Sequence, residues 1–67
     1  MGVMAKKPHV WTAKRIRALR LRLGLSQAAA AAKVGVTQRQ WAHWEYGTRV
    51  PSGPAAVLLD LLDRGIL

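Results

Sequence analysis

The chain has 67 residues, with eleven Lys and Arg against three Asp and Glu, a formal charge of +8 and 51% apolar residues. That length holds one small domain with a core near the lower limit for unaided folding, and it excludes a Rossmann fold, a barrel or a two-lobed catalytic cleft. The apolar half excludes a disordered basic tail, and the absence of cysteine excludes a disulfide framework or a thiolate zinc site.

No window reaches the roughly 18 to 20 consecutive apolar residues that span a bilayer, and the first ten residues lack the apolar run of a secretory signal. The expectation is a soluble, cytoplasmic and nucleoid-associated protein with no membrane partner. Charge is uneven: Lys6, Lys7, Lys14, Arg15, Arg17, Arg20 and Arg22 precede any acid, whereas Asp60 and Asp63 lie near the other end. Such a field favours a polyanion, with nucleic acid ahead of an anionic membrane surface.

Residues 1–11, with Lys6, Lys7 and Pro8, show no periodicity and read as a flexible basic arm, leaving 12–67 as the folded domain. Thr12 is an N-cap candidate, and Ile16, Leu19 and Leu23 recur at i, i+3, i+7 before Gly24, which predicts a first helix over 13–23. Ser26 is the next cap, the alanines at 28–32 have the best helix propensity and Gly35 is a stop, so a second helix covers about 27–34. Only Val36 separates Gly35 from Thr37, a third cap, and a third helix runs over 38–46 to Gly47. Pro51, Ser52 and Gly53 mark a loop, after which Pro54 at a first helical position opens a fourth helix over 54–64, ended by Gly65. No alternating β-branched run and no repeat occurs, so the fold class is all-α.

On a helical wheel Trp41 and Trp44 fall on one side of the third helix, and Arg39, Ala42, His43 and Tyr46 on the other. The expected core is Ile16, Leu19, Leu23, Ala31, Trp41 and Trp44. A stacking platform for single-stranded bases is the other use of two such tryptophans, but an alanine-rich second helix needs large partners to fill the space against it. Arg20 shares a face with Ile16 and Leu23, so its guanidinium needs a partner, and Glu45 is the only acid before residue 60. An Arg20–Glu45 ion pair of structural role is expected. His9 and His43 have no ligand-spaced company and no serine has a base and acid set, so no metal, cofactor or catalytic residue is expected. The fourth helix carries Val57, Leu58, Leu59, Leu61 and Leu62, with Ile66 and Leu67 beyond, more than one core stripe requires. Leu58, Leu61, Leu62, Ile66 and Leu67 are the expected homodimer interface.

Two short capped helices around a glycine have the layout of a helix-turn-helix. The stretch LGLSQAAAAAKVGVTQRQWAHWEYGTRVPSGP carries Gly24-Leu25-Ser26-Gln27, Gly35-Val36-Thr37 and Trp44-Glu45-Tyr46-Gly47, and over about 16–62 it resembles the Cro/C1-type, phage-repressor-like helix-turn-helix family. Its Pro-Ser-Gly-Pro-Ala further looks like short regulators and antitoxins. The resemblance implies a compact four-helix, lambda-repressor-like domain, with room for a short extra C-terminal turn, that binds double-stranded operator DNA. It also implies a phosphate contact at Gln27, a base reader at Gln38 and the Arg20–Glu45 pair. The position matching Ala30 usually holds a larger apolar residue, so Trp41 or Trp44 is expected to fill that space. Glutamine can pair with adenine, and arginine with guanine. Gln38, Arg39 and His43 are the expected base readers, Gln40 and Tyr46 further base or backbone contacts, and Gln27, Thr37, Lys33, Thr48 and Arg49 the phosphate contacts. The expected function is a dimeric repressor or autoregulator. Its alternative is an antitoxin or adaptor that binds a protein such as a toxin through the fourth helix, with DNA secondary. A membrane-active first helix is a weaker reading, because its apolar stripe is narrow.

Overall fold

Three hydroxyl caps set the frame of the computed structural model, which describes residues 10–67. Thr12, Ser26 and Thr37 each hold an extended backbone, and their side-chain oxygens accept from the third N–H of the helix that follows, those of Arg15, Ala29 and Gln40. Each bond satisfies a donor that has no partner inside the helix. The helices so opened are α1 (Ala13–Arg22), α2 (Gln27–Val34) and α3 (Gln38–Tyr46), and Pro54 at the first position opens α4 (Pro54–Asp63). The described residues form no strand, and the fold is all-α.

Gly35 and Gly47 end α2 and α3 at φ 77° and 82°, in the left-handed region. The next N–H reaches back in each case, Val36 to the Ala31 carbonyl at 3.0 Å and Thr48 to that of His43 at 3.1 Å. These are Schellman closures, for which a residue without Cβ is the natural choice. The closure at Gly35 leaves Val36 and the Thr37 cap as the remaining link, so α3 follows α2 across the tight turn of a helix-turn-helix.

α3 packs against α1 and α2, and α2 against α4. Trp41 and Trp44 are wholly buried with Ile16, Leu19, Ala30, Ala31, Val34, Leu59 and Leu62. Their ring centroids lie 5.6 Å apart at 56°, within the favoured tilted geometry. Two methyl-sized residues, Ala30 and Ala31, face this core from α2, which is what leaves volume for two indoles.

Three expectations change. Leu23 is 37% exposed, because it is the C-cap of α1 and the chain turns away at Gly24; Leu25 packs against the core instead. Leu62 is a core residue, since α4 turns Leu59 and Leu62, one helical step of three apart, inward, and a side chain buried there cannot also form a dimer surface. Trp11 belongs to the folded domain and not to an arm: it is buried, its Nε1 donates to Asp60 Oδ1 at 2.9 Å, and the Arg15 guanidinium lies 4.6 Å from its ring centroid. Standing just before the Thr12 cap, with Ile16 four positions into the helix, it occupies the outer place of a hydrophobic staple. Residues 1–9 of the expected arm, with Lys6, Lys7, Pro8 and His9, lie outside the described residues.

Candidate nucleic-acid interface

Glu45, near the end of α3, is the buried centre that fixes the helices relative to one another. Arg20 of α1 grips it side-on, with Nε donating to Oε2 at 2.5 Å and Nη2 to Oε1 at 3.1 Å. Trp41 Nε1 donates to Oε2 at 2.6 Å from one turn earlier on α3, and Gln27 Nε2 of α2 donates to Oε1 at 3.2 Å. Arg17 Nε stands 3.6 Å from Oε1 at the exposed edge. Burial pushes this carboxyl's pKa up, but the hydrogen bonds from Arg20, Trp41 and Gln27 outweigh it and hold the group at about 2. The Arg20 guanidinium is raised in turn by its bond to Glu45, against the opposing effect of burial. Its Nη1 also donates to the Leu25 carbonyl at 3.1 Å, tying the link between α1 and α2 into the same knot.

With one face of α3 committed to the core, the other is presented outward. Gln38, Arg39 and Tyr46 are exposed, Tyr46 at 70%, whereas His43 and Gln40 are half-buried. Among the described residues the side chains of Gln38, Arg39, Lys33 and Arg49 have no internal hydrogen bond or ion pair. His43 Nδ1 lies 2.9 Å from Thr48 Oγ1, which itself donates to the His43 carbonyl at 3.2 Å. Since a hydroxyl has one proton, Nδ1 is then the donor, and Nε2 is left for a base edge. Thr48 thereby orients His43, a role different from the phosphate contact that the resemblance implies for it.

Gln27 also differs from expectation in its surroundings. Its amide nitrogen is turned toward Glu45, leaving its carbonyl and one N–H for other partners. Thr37 accepts from Gln40 N at 3.0 Å and keeps its own hydroxyl proton to donate. Neither α2 nor α3 has an acid in its first turn, so the positive ends of both helix dipoles are unopposed.

All three acids of the chain are engaged within it. Glu45 is held as described, Asp60 accepts from Trp11, and Asp63 pairs with Arg22. Sequence reasoning missed the last two contacts, and the sign that could have found them is scarcity, since each of so few acids must serve some neighbour. A groove of about 400 Å³ between α3 and the loop leading to α4, lined by Gln40, Trp44, Arg49 and Ser52, was also missed. Among the described residues no cluster of His, Cys, Asp and Glu could hold a metal ion, and no helix is long and apolar enough to cross a membrane.

A capped helix pair joined by a glycine turn, its second helix turning Gln38, Arg39 and His43 away from a tryptophan core, defines a DNA-binding helix-turn-helix. The family model for a helix-turn-helix domain matches residues 12–64, and the chain belongs to that family. No curated protein and no solved structure matches it.

Proposed function

We propose that this DNA-binding regulator is a Cro/C1-type repressor that reads an inverted-repeat operator, often its own, as a homodimer. One observation carries the reading. The outward face of α3 offers Gln38 and Arg39 without internal partners and His43 held by Thr48, in a chain whose acids are all spent on internal contacts. Base-edge donors and acceptors are thus set in a positive field, and the one acid of α3, Glu45, is buried and paired with Arg20. In this reading Gln38, Arg39 and His43 read bases, with Gln40 and Tyr46 beside them, while Thr37, Lys33, Arg49 and the free N–H of Gln27 meet the backbone and Thr48, its donors spent on the His43 carbonyl, holds His43 in place. Repression follows from occupying a promoter.

Fluorescence anisotropy on the chain's own upstream DNA and on a scrambled duplex of equal length, at two salt concentrations, tests it. Preferential binding to the upstream duplex that persists at the higher salt is expected. Equal binding to both, collapsing as salt rises, would leave only counterion release and overturn sequence reading.

A further inference from the structure

Trp44 is 1% exposed, and its indole Nε1 is the only buried side-chain nitrogen or oxygen among the described residues without a hydrogen-bond partner. The other two tryptophans are satisfied, Trp11 by Asp60 and Trp41 by Glu45. A buried donor left unpaired is costly, and in a domain this small it calls for an explanation.

Trp44 also lines the groove between α3 and the following loop. Its polar neighbours there are Gln40, Arg49 and Ser52, all able to donate, and no carboxylate lines it. The groove is bordered by Ser52 and Ala55 at the amino end of α4, a helix of ten residues. That helix is preceded by Gly53, which has no side chain to cap it, and has no acid in its first turn. Donor-bearing side chains, a cation and the positive end of a helix dipole bordering one open groove describe a receptor for an anionic oxygen.

We propose that Trp44, besides filling the core, donates its indole N–H to a non-bridging phosphate oxygen of bound DNA in the groove formed with Gln40, Arg49 and Ser52. The inference rests on the reading of the chain as a binder of double-stranded DNA. It makes Trp44 a backbone-positioning residue: the buried ring fixes where the phosphate sits, and so fixes the depth and register at which α3 enters the major groove.

The test uses the whole chain, which is short enough for chemical synthesis, and a duplex selected from a random library for tightest binding. In one arm Trp44 is replaced by 3-benzothienylalanine, which keeps the size of the ring and exchanges N–H for sulfur. Affinity is expected to fall about ten-fold, the loss of one bond to a charged acceptor. The slope of affinity against salt stays unchanged because a neutral donor releases no counterion, whereas Arg49→Ala lowers that slope by about one. In the second arm the three indole N–H protons are followed by NMR as the duplex is added. The Trp44 resonance is expected to move downfield while those of Trp11 and Trp41 hold. A duplex that binds with the Trp44 resonance unmoved, or binds the sulfur analogue as tightly, would overturn the phosphate contact and leave DNA binding intact. Failure of every duplex to bind at low salt would overturn the underlying reading and the contact with it.

Discussion

At Glu45 two opposed effects act on one carboxyl. Burial favours the neutral acid, while Arg20, Trp41 and Gln27 favour the anion, and the anion prevails with a pKa near 2 against the usual 4.5. The native state therefore binds this proton less tightly than the unfolded chain does. As pH falls the unfolded chain takes up the proton first, so the stabilisation is complete above about pH 4.5 and is lost on the way down to about 2. The loss over that window is about 3 kcal/mol, a large share of a small domain's stability. Thermal midpoints measured from about pH 6 downward on the wild type and on the double variant Arg20→Met, Glu45→Gln check this. The variant removes both buried charges together, a change that folds usually tolerate, and keeps a carbonyl for Trp41. The wild type is expected to lose stability more steeply through the acid window, and parallel curves would show that Glu45 contributes nothing to it.

The elements were legible to the extent that one residue's chemistry decides them. Thr12, Ser26 and Thr37 announce helix starts because a hydroxyl ahead of an apolar period has one good use, and the structure puts each in it. The Arg20–Glu45 contact could be inferred from the scarcity of acids, and the outward face of α3 from the position of its tryptophans. Contacts that depend on where separate elements meet carry no such sign: Gln27 turning to Glu45, and the groove beside Trp44. Leu23 was misplaced because periodicity does not reveal where a helix runs out of neighbours. α2 shows how an element can be specified by small size. Ala30 is fully buried in the cluster that holds both indoles, so Ala30→Leu adds volume where none is left. It is expected to cost about 1 to 3 kcal/mol, although leucine suits a helix as well as most residues do. A denaturant titration showing an unchanged midpoint would mean that the tryptophans leave room above α2.

For the whole molecule the open question is how one short recognition helix gains enough affinity, and the proposed two-fold assembly answers it by placing two copies on half-sites about one DNA turn apart. With Leu62 assigned to the core, the apolar surface left near the carboxyl end is Val57, Ile66 and Leu67, at 56%, 62% and 41% exposure, with Leu61 half-buried beside it. The two sets predict separable defects. Leu62→Ala empties a core site and is expected to cost about 2 to 5 kcal/mol of stability. Ile66→Asp puts a charge on the outer surface, so it should leave the melting midpoint of dilute protein unchanged but remove self-association. Sedimentation equilibrium supplies the mass, and duplexes bearing one or two half-sites supply the functional counterpart. The Ile66→Asp protein should bind a single half-site like the wild type and lose the gain that a second half-site confers, because that gain arises only when the two copies are joined. If the wild type sediments as a monomer and gains nothing from the second half-site, the two-fold assembly is wrong, and α3 with its flanking phosphate contacts must supply the whole affinity alone.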